Sequence, residues 1–221
     1  MTQDERFTTG TDWLSQDLLQ DFSRRDLPAG YLLATPESAR NEVFVVHSGR
    51  LRVYLAGENR SLTLSFLETG DIYTSHTPTF VESVSETTLW VMDTEAFARK
   101  LGQDPSATPA IMRVLGRLLS NAVSLVEDLA FREVPARLAR FMLGLARRKG
   151  QADEGGWRVP LELTIEEIAS LLGTTRQTVS MLINQWEREG LVARPDRQHL
   201  LIPSLDRLHA LCGENSTRDV G

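Results

Sequence analysis

The chain has 221 residues, 41% hydrophobic and 24% charged, with a formal net charge of −6. That is enough apolar material for one large or two small folded domains and excludes a chain disordered throughout. Its apolar runs fall far short of the roughly 18 residues of a membrane span. The opening MTQDERFTTG lacks a basic-then-apolar leader, so the expectation is a cytoplasmic protein with no membrane partner. The single cysteine, Cys212, excludes a disulfide framework, a cysteine zinc site and a cysteine-held iron–sulfur cluster.

Residues 13–25 (WLSQDLLQDFSRR) put Trp13, Leu14, Leu18, Leu19 and Phe22 on one helical face, which predicts a helix. From about 28 to 95 the pattern changes to short runs rich in β-branched and aromatic residues: YLLAT, EVFVVHSG, LRVYLAG, SLTLSFLETG and TTLWVMD. Glycines at 30, 49, 57 and 70 punctuate them, with turns at Ser48-Gly49 and at 57–59. Strands at such spacing indicate an antiparallel β-roll or barrel. After Pro105 and Pro109 the period becomes helical. Ile111, Leu115, Leu118, Ala122, Leu125 and Leu129 recur in steps of four and three, the spacing of a coiled-coil seam, and predict a dimerisation helix. Pro135 marks the start of another helix over 134–148, KGQADEGG (149–156) reads as a loop, and WRVPLEL (157–163) as an extended segment. The last eight residues, 214–221, read as a loose tail.

Residues 164–192, TIEEIASLLGTTRQTVSMLINQWEREGLV, carry the strongest motif. Thr164 and Glu167 form a capping box. Ile165, Ile168, Ala169 and Leu172 make the apolar face of a short helix, which Gly173 ends. Thr174 or Thr175 then caps a second helix, with Val179, Leu182, Ile183 and Trp186 inward and Gly190 closing it. The outward positions of its first turns are Arg176, Gln177, Ser180 and Met181. This is a helix-turn-helix, whose second helix enters the major groove of DNA. Arg176 can pair with guanine O6 and N7, and Gln177 with adenine N6 and N7. The Thr175 and Thr178 hydroxyls can hold phosphates. Residues 191–202 (LVARPDRQHLLI) read as a wing, with Arg194, Arg197 and His199 near its tip and His199 as a surface residue. Charge agrees with this division. Residues 1–130 hold 11 Lys/Arg against 18 Asp/Glu, a net of −7, and residues 131–221 hold 13 against 12, a net of +1. Nearly all the cations are arginine, which suits phosphates and base edges. Carboxylate-pair, nucleophile-elbow, P-loop and HExxH signatures of enzymes are not found.

A β-roll, a long dimer helix and a winged helix-turn-helix, in that order, resemble the CRP/FNR family of bacterial transcription regulators over essentially the whole chain. The fold class is therefore α+β: an N-terminal antiparallel, cyclic-nucleotide-binding-like β-roll (1–108), a dimerisation helix (109–131), a winged helix-turn-helix (132–213) and the tail. The resemblance implies a homodimer on a palindromic double-stranded operator, with RNA polymerase as a further partner. The segments FVVHSGRLRVYLAGENRSLTLSFLETGDI, SHT (75–77), VLGRLL and VEDLAF are similar to the carbon-monoxide-sensing haem proteins of this family.

Three effectors compete. A cyclic nucleotide is disfavoured, because the stretch after Gly70, DIYTSHTPTFVESVSETTL, has no arginine for its phosphate. An iron–sulfur cluster is excluded by the lone cysteine. Haem b is the third. By resemblance, His76 is the axial ligand of reduced iron. Thr74 stands where these relatives carry a cysteine that binds oxidised iron. The amine of Thr2, freed by removal of Met1, is the opposite ligand and is displaced by CO. Ile111, Met112, Leu115, Gly116 and Leu119 line the CO pocket. Read from the residues alone, His76 is better taken as a hydrogen-bonded loop histidine in a haemless regulator that answers another small effector, since lone histidines are seldom ligands; the resemblance is what points to haem.

Overall fold

The structure is a computed structural model that describes residues 19, 21–38, 40–58, 60–103, 108–196 and 198–212. The chain divides into two units, Met1–Glu58 with Thr63–Val123, and Asn59–Leu62 with Ser124–Gly221.

Among the described residues the N-terminal part holds eight strands: β1 (Ser23–Leu27), β2 (Leu32–Ala34), β3 (Glu42–Ser48), β4 (Leu51–Ala56), β5 (Ser61–Leu67), β6 (Ile72–Thr74), β7 (Phe80–Ser83) and β8 (Thr87–Asp93), the first two residues of β5 counting with the second unit. They form two four-stranded sheets, ordered β1-β8-β3-β6 and β2-β7-β4-β5. Helices α1 (Thr94–Gln103) and α2 (Thr108–Phe131) follow. The roll and the long helix expected from the sequence are thus present. Strand β3 explains the unbroken apolar run VFVV. Phe44 and Val46 face the other sheet, packing with Leu51, Val53, Val81 and Leu89. Val43 and Val45 face the opposite way and pack with Phe22, Met92, Phe97, Ile111 and Val114. A strand buried on both faces cannot alternate apolar with polar residues.

The expected helix over 13–25 is corrected at its end. Ser23, Arg24 and Arg25 are strand, paired with Val91, Trp90 and Leu89 of β8. Pairing along a sheet edge outweighs a helical period that is only local. Phe22, read as part of the helical face, instead enters the core, its ring edge-on to Phe97 at a centroid distance of 6.0 Å. Trp13, Leu14 and Leu18 lie outside the described residues.

In the second unit α2 is followed by α3 (Val134–Lys149), β9 (Gln151–Asp153), β10 (Gly156–Pro160), α4 (Ile165–Leu171), α5 (Arg176–Arg188), β11 (His199–Ile202) and α6 (Leu205–His209). Pro135 occupies the first turn of α3, as expected. The core joins Leu138 and Met142 of α3 to Val159, Ile168, Val179, Ile183, Trp186 and Leu200. Two expectations change here. The stretch 149–156 is not all loop, because Gln151–Asp153 pair with Gly156, Trp157 and Arg158 in a hairpin. The wing's outer strand pairs with β10, and its expected partner across the turn supplies a single bridge, Ala193–Leu201. No helix among the described residues is long and apolar enough to cross a membrane.

Gly49 makes the β3–β4 turn at φ +86, where an added Cβ would lie 2.3 Å from the Glu86 carbonyl oxygen. The left-handed backbone alone costs a side chain about 1–2 kcal/mol, and the overlap adds to that. Gly49→Ala is therefore expected to lower the urea midpoint of unfolding by at least this equivalent, while Gly102→Ala, where a Cβ meets nothing within 4 Å, leaves it unchanged or higher.

Candidate functional site

The helix-turn-helix is built as its residues dictate. The Thr164 Oγ1 accepts from the Glu167 backbone N–H at 3.2 Å, and the Glu167 carboxylate accepts from the Thr164 N–H at 2.7 Å, so the capping box closes both ways. Gly173 turns the chain at φ +62. Thr175 is the N-cap of α5: its hydroxyl accepts from the Thr178 N–H at 3.2 Å and sits 2.9 Å from the Thr178 hydroxyl. Val179, Leu182, Ile183 and Trp186 are buried. Arg176, Gln177 and Met181 are exposed and Ser180 and Thr178 are half-buried. One short stretch of helix thus offers an arginine, an amide and hydroxyls outward from a fixed apolar base, a set able to read base edges and hold phosphates.

The described charges of the wing pair with neighbouring elements. Arg194 donates through Nε to Glu187 at 2.8 Å and through Nη2 to the Asn184 side-chain oxygen at 2.8 Å. His199 Nδ1 lies 2.9 Å from Asp196, which also accepts from Arg158 at 2.7 Å. His199 is thus the surface residue expected, and Arg197 lies outside the described residues. Arg194 beside Glu187 holds that carboxyl below its usual range. A carboxylate depressed by folding stabilises above its unfolded pKa and loses that contribution as pH falls through its folded value. Glu187→Gln is expected to unfold more readily than the parent at pH 7, with the gap closing on acidification. A gap independent of pH would contradict the pairing.

In the first unit His76 lies exposed in the turn between β6 and β7. Its Nδ1 is 2.6 Å from the Thr74 hydroxyl. The turn is anchored by the buried Ser75, whose hydroxyl donates to the Arg40 carbonyl at 2.5 Å and accepts from the Glu42 N–H at 2.9 Å. Just upstream Asp71 is buried and accepts from the Glu68 N–H at 3.0 Å. Burial pushes its carboxyl pKa up, and Arg117 of α2 pairs with it. Among the described residues no group of three or more His, Cys, Asp or Glu side chains could hold a metal ion.

Helix α2 has two apolar faces, and the structure reassigns residues between them. Ile111 and Leu118, expected in the seam, pack against the helix's own unit, Ile111 with Val43, Val45 and Val114 and Leu118 against both clusters of the first unit. Ile111, expected in the CO pocket as well, is buried in this cluster. Ala122 and Leu125 are half-buried. Met112, Leu115, Leu119, Val123, Val126 and Leu129 are exposed, from 39% for Leu129 to 66% for Leu119 and Val126. A Cβ on Gly116 would meet nothing within 4 Å. The exposed row differs from the expected seam by one position at three places, because a stripe facing a sheet and a stripe facing solvent repeat with the same spacing. Val126, absent from the expected seam, is found by counting 3-4-3-4-3 from Met112 in place of Ile111. Thr2 lies outside the described residues.

A helix-turn-helix with a wing strand, carried behind an antiparallel roll, defines a DNA-binding transcription regulator rather than an enzyme. Residues 136–211 match the Crp-like helix-turn-helix domain. A CooA mutant from Carboxydothermus hydrogenoformans is 36% identical with a TM-score of 0.84, covering 89% of this chain and 90% of that one. The reduced (FeII) CO-sensing protein from R. rubrum is 36% identical with a TM-score of 0.55, covering 93% and 99%. The CRP-like cAMP-activated global transcriptional regulator of Mycobacterium tuberculosis is 28% identical over 197 residues, 83% of this chain and 85% of that one. The chain belongs to the CRP/FNR family of transcription regulators.

Proposed function

We propose that this regulator is a haem-dependent sensor of carbon monoxide that binds palindromic DNA as a homodimer. One observation carries the reading: an exposed imidazole on an anchored turn, its Nδ1 engaged by Thr74, in a chain 36% identical to CO-sensing proteins over most of both lengths. When bound, haem b would supply the iron at which a small neutral diatomic is read. His76 would present Nε2 as the axial donor, with the ring and tautomer fixed through Nδ1 as in other metal-ligating histidines. Thr74, where the resembling proteins carry cysteine, would act as the positioning residue rather than as a second ligand. Met112, Leu115, Gly116 and Leu119 would supply exposed apolar surface for the effector, and the Thr2 amine is the proposed second donor. For a cyclic nucleotide the stretch after Gly70 offers no arginine, and the carboxylate of Asp71 there engages Arg117 of α2.

The homodimer is proposed on α2. Met112, Leu115, Leu119, Ala122, Val126 and Leu129 repeat with heptad spacing, and a second copy would cover them as the two halves of a coiled coil. Pairing there would set two α5 helices about 34 Å apart, one turn of DNA, over a palindrome. RNA polymerase is the proposed partner of the bound dimer.

The haem-supplied protein is expected to show a sharp Soret band that moves on adding reductant and then CO. His76→Ala should abolish the band, and Thr74→Val should weaken haem affinity about 10–100-fold. A parent spectrum without such a band would return the protein to the haemless alternative. Leu119→Glu, at a position 66% exposed, should leave folding intact and give a monomer in analytical ultracentrifugation. A dimer as tight as the parent's would remove α2 as the interface.

A further inference from the structure

Residues 60–62, which leave the β4–β5 connection and enter β5, belong to the same unit as the helix-turn-helix. They are seated there by specific contacts. The buried Ser170 of α4 donates its hydroxyl hydrogen to the Ser61 carbonyl at 3.0 Å, and the two hydroxyls are 3.3 Å apart. Leu62 lies where a Cβ on Gly173 would meet it at 3.2 Å, so the glycine turn leaves it room. A cleft of about 480 Å³ results, lined by Arg60 and Ser61 on one side and by Thr175, Arg176 and Gln177 at the start of the recognition helix on the other. Glu166 is the carboxylate on its wall.

Arg60 is exposed and makes no ion pair among the described residues. Close by, the guanidinium of Arg137 is 9% exposed and its Nε has no hydrogen-bond partner. Burial lowers its pKa, Asp128 raises it and repulsion from Arg60 lowers it. Arg60 and Arg176 both line the cleft that opens beside the base-reading turn, with Glu166 as the acidic side chain on its wall. A duplex with α5 in its major groove carries a phosphodiester strand along each lip of that groove, and arginine is the side chain best suited to grip it.

We propose that Arg60 is a DNA-binding residue that contacts a backbone phosphate from outside the helix-turn-helix motif. The inference rests on the reading of α5 as the groove-entering helix. Arg60 would add affinity without sequence preference, whereas Arg176 would read a base.

The test uses full-length, haem-loaded protein under CO. It titrates a palindromic duplex selected by the parent from random sequence, and a scrambled duplex, by fluorescence anisotropy across about 50–200 mM salt. Arg60→Gln should weaken binding to both duplexes several-fold and reduce the slope of log affinity against log salt by about 0.9 for each phosphate that is no longer neutralised. Arg60→Lys should restore the slope, which a merely structural role of the side chain would not. Arg176→Ala should instead erode the preference for the selected duplex. An Arg60→Gln protein with the parent's affinity and slope on both duplexes overturns this proposal alone. A parent that binds neither duplex overturns the reading of α5, and this proposal with it.

Discussion

Helix α2 carries two apolar stripes, and one chain can cover only one of them. Ile111, Val114 and Leu118 are committed to the sheet beneath, which fixes the rotation of the helix about its axis. That rotation turns Met112, Leu115, Leu119 and Val126 outward. Full burial of a side chain of this kind is worth about 1.5–3 kcal/mol, so a half-exposed row of them is a substantial driving force for association. Residues that fix the helix on the inside therefore decide what it presents on the outside. A change at the sheet that rotates or shifts α2 would alter the seam as well.

The turn that carries His76 is linked to the same helix. Arg117 of α2 reaches Asp71, and Asp71 begins the stretch that leads through β6 to the His76 turn. That turn is held from below by Ser75 against Arg40 and Glu42. The contact matters because a carboxylate taken out of water is costly unless matched, and the partner of the buried Asp71 is a half-exposed arginine of α2. A ligand shifts such a system only through its different affinity for two packings. The Asp71–Arg117 contact and the apolar row beside it are physical features through which two packings could differ.

Much of this is legible in the sequence because local chemistry dictates it. The capping box at Thr164, the glycine turn at 173 and the inward set from Val179 to Trp186 all depend on neighbours a few residues away. What the sequence leaves ambiguous depends on distant partners. Periodicity locates the long helix but does not say which of two stripes, one position apart, faces the sheet, so a seam drawn from spacing alone takes in Ile111 and Leu118. Ser23–Arg25 continue a helical pattern, yet β8 supplies an edge for them to pair with. Gln151–Asp153 look like loop because all three are exposed, and only the hairpin to β10 makes them strand. Arg60 carries no motif. Its place beside the recognition helix follows from a serine–serine contact across 109 residues.

Under the proposed function, an effector event at the roll is read out as the spacing of two recognition helices. The most direct measurement compares, with and without CO, the affinity of the reduced, haem-loaded protein for a full palindrome and for an isolated half-site. The account predicts at least about a tenfold change on the palindrome, equivalent to about 1.4 kcal/mol, with little change on the half-site, since each helix-turn-helix is intact in both states. Equal affinities for the palindrome in both gas conditions, or an equal change on the half-site, would contradict it.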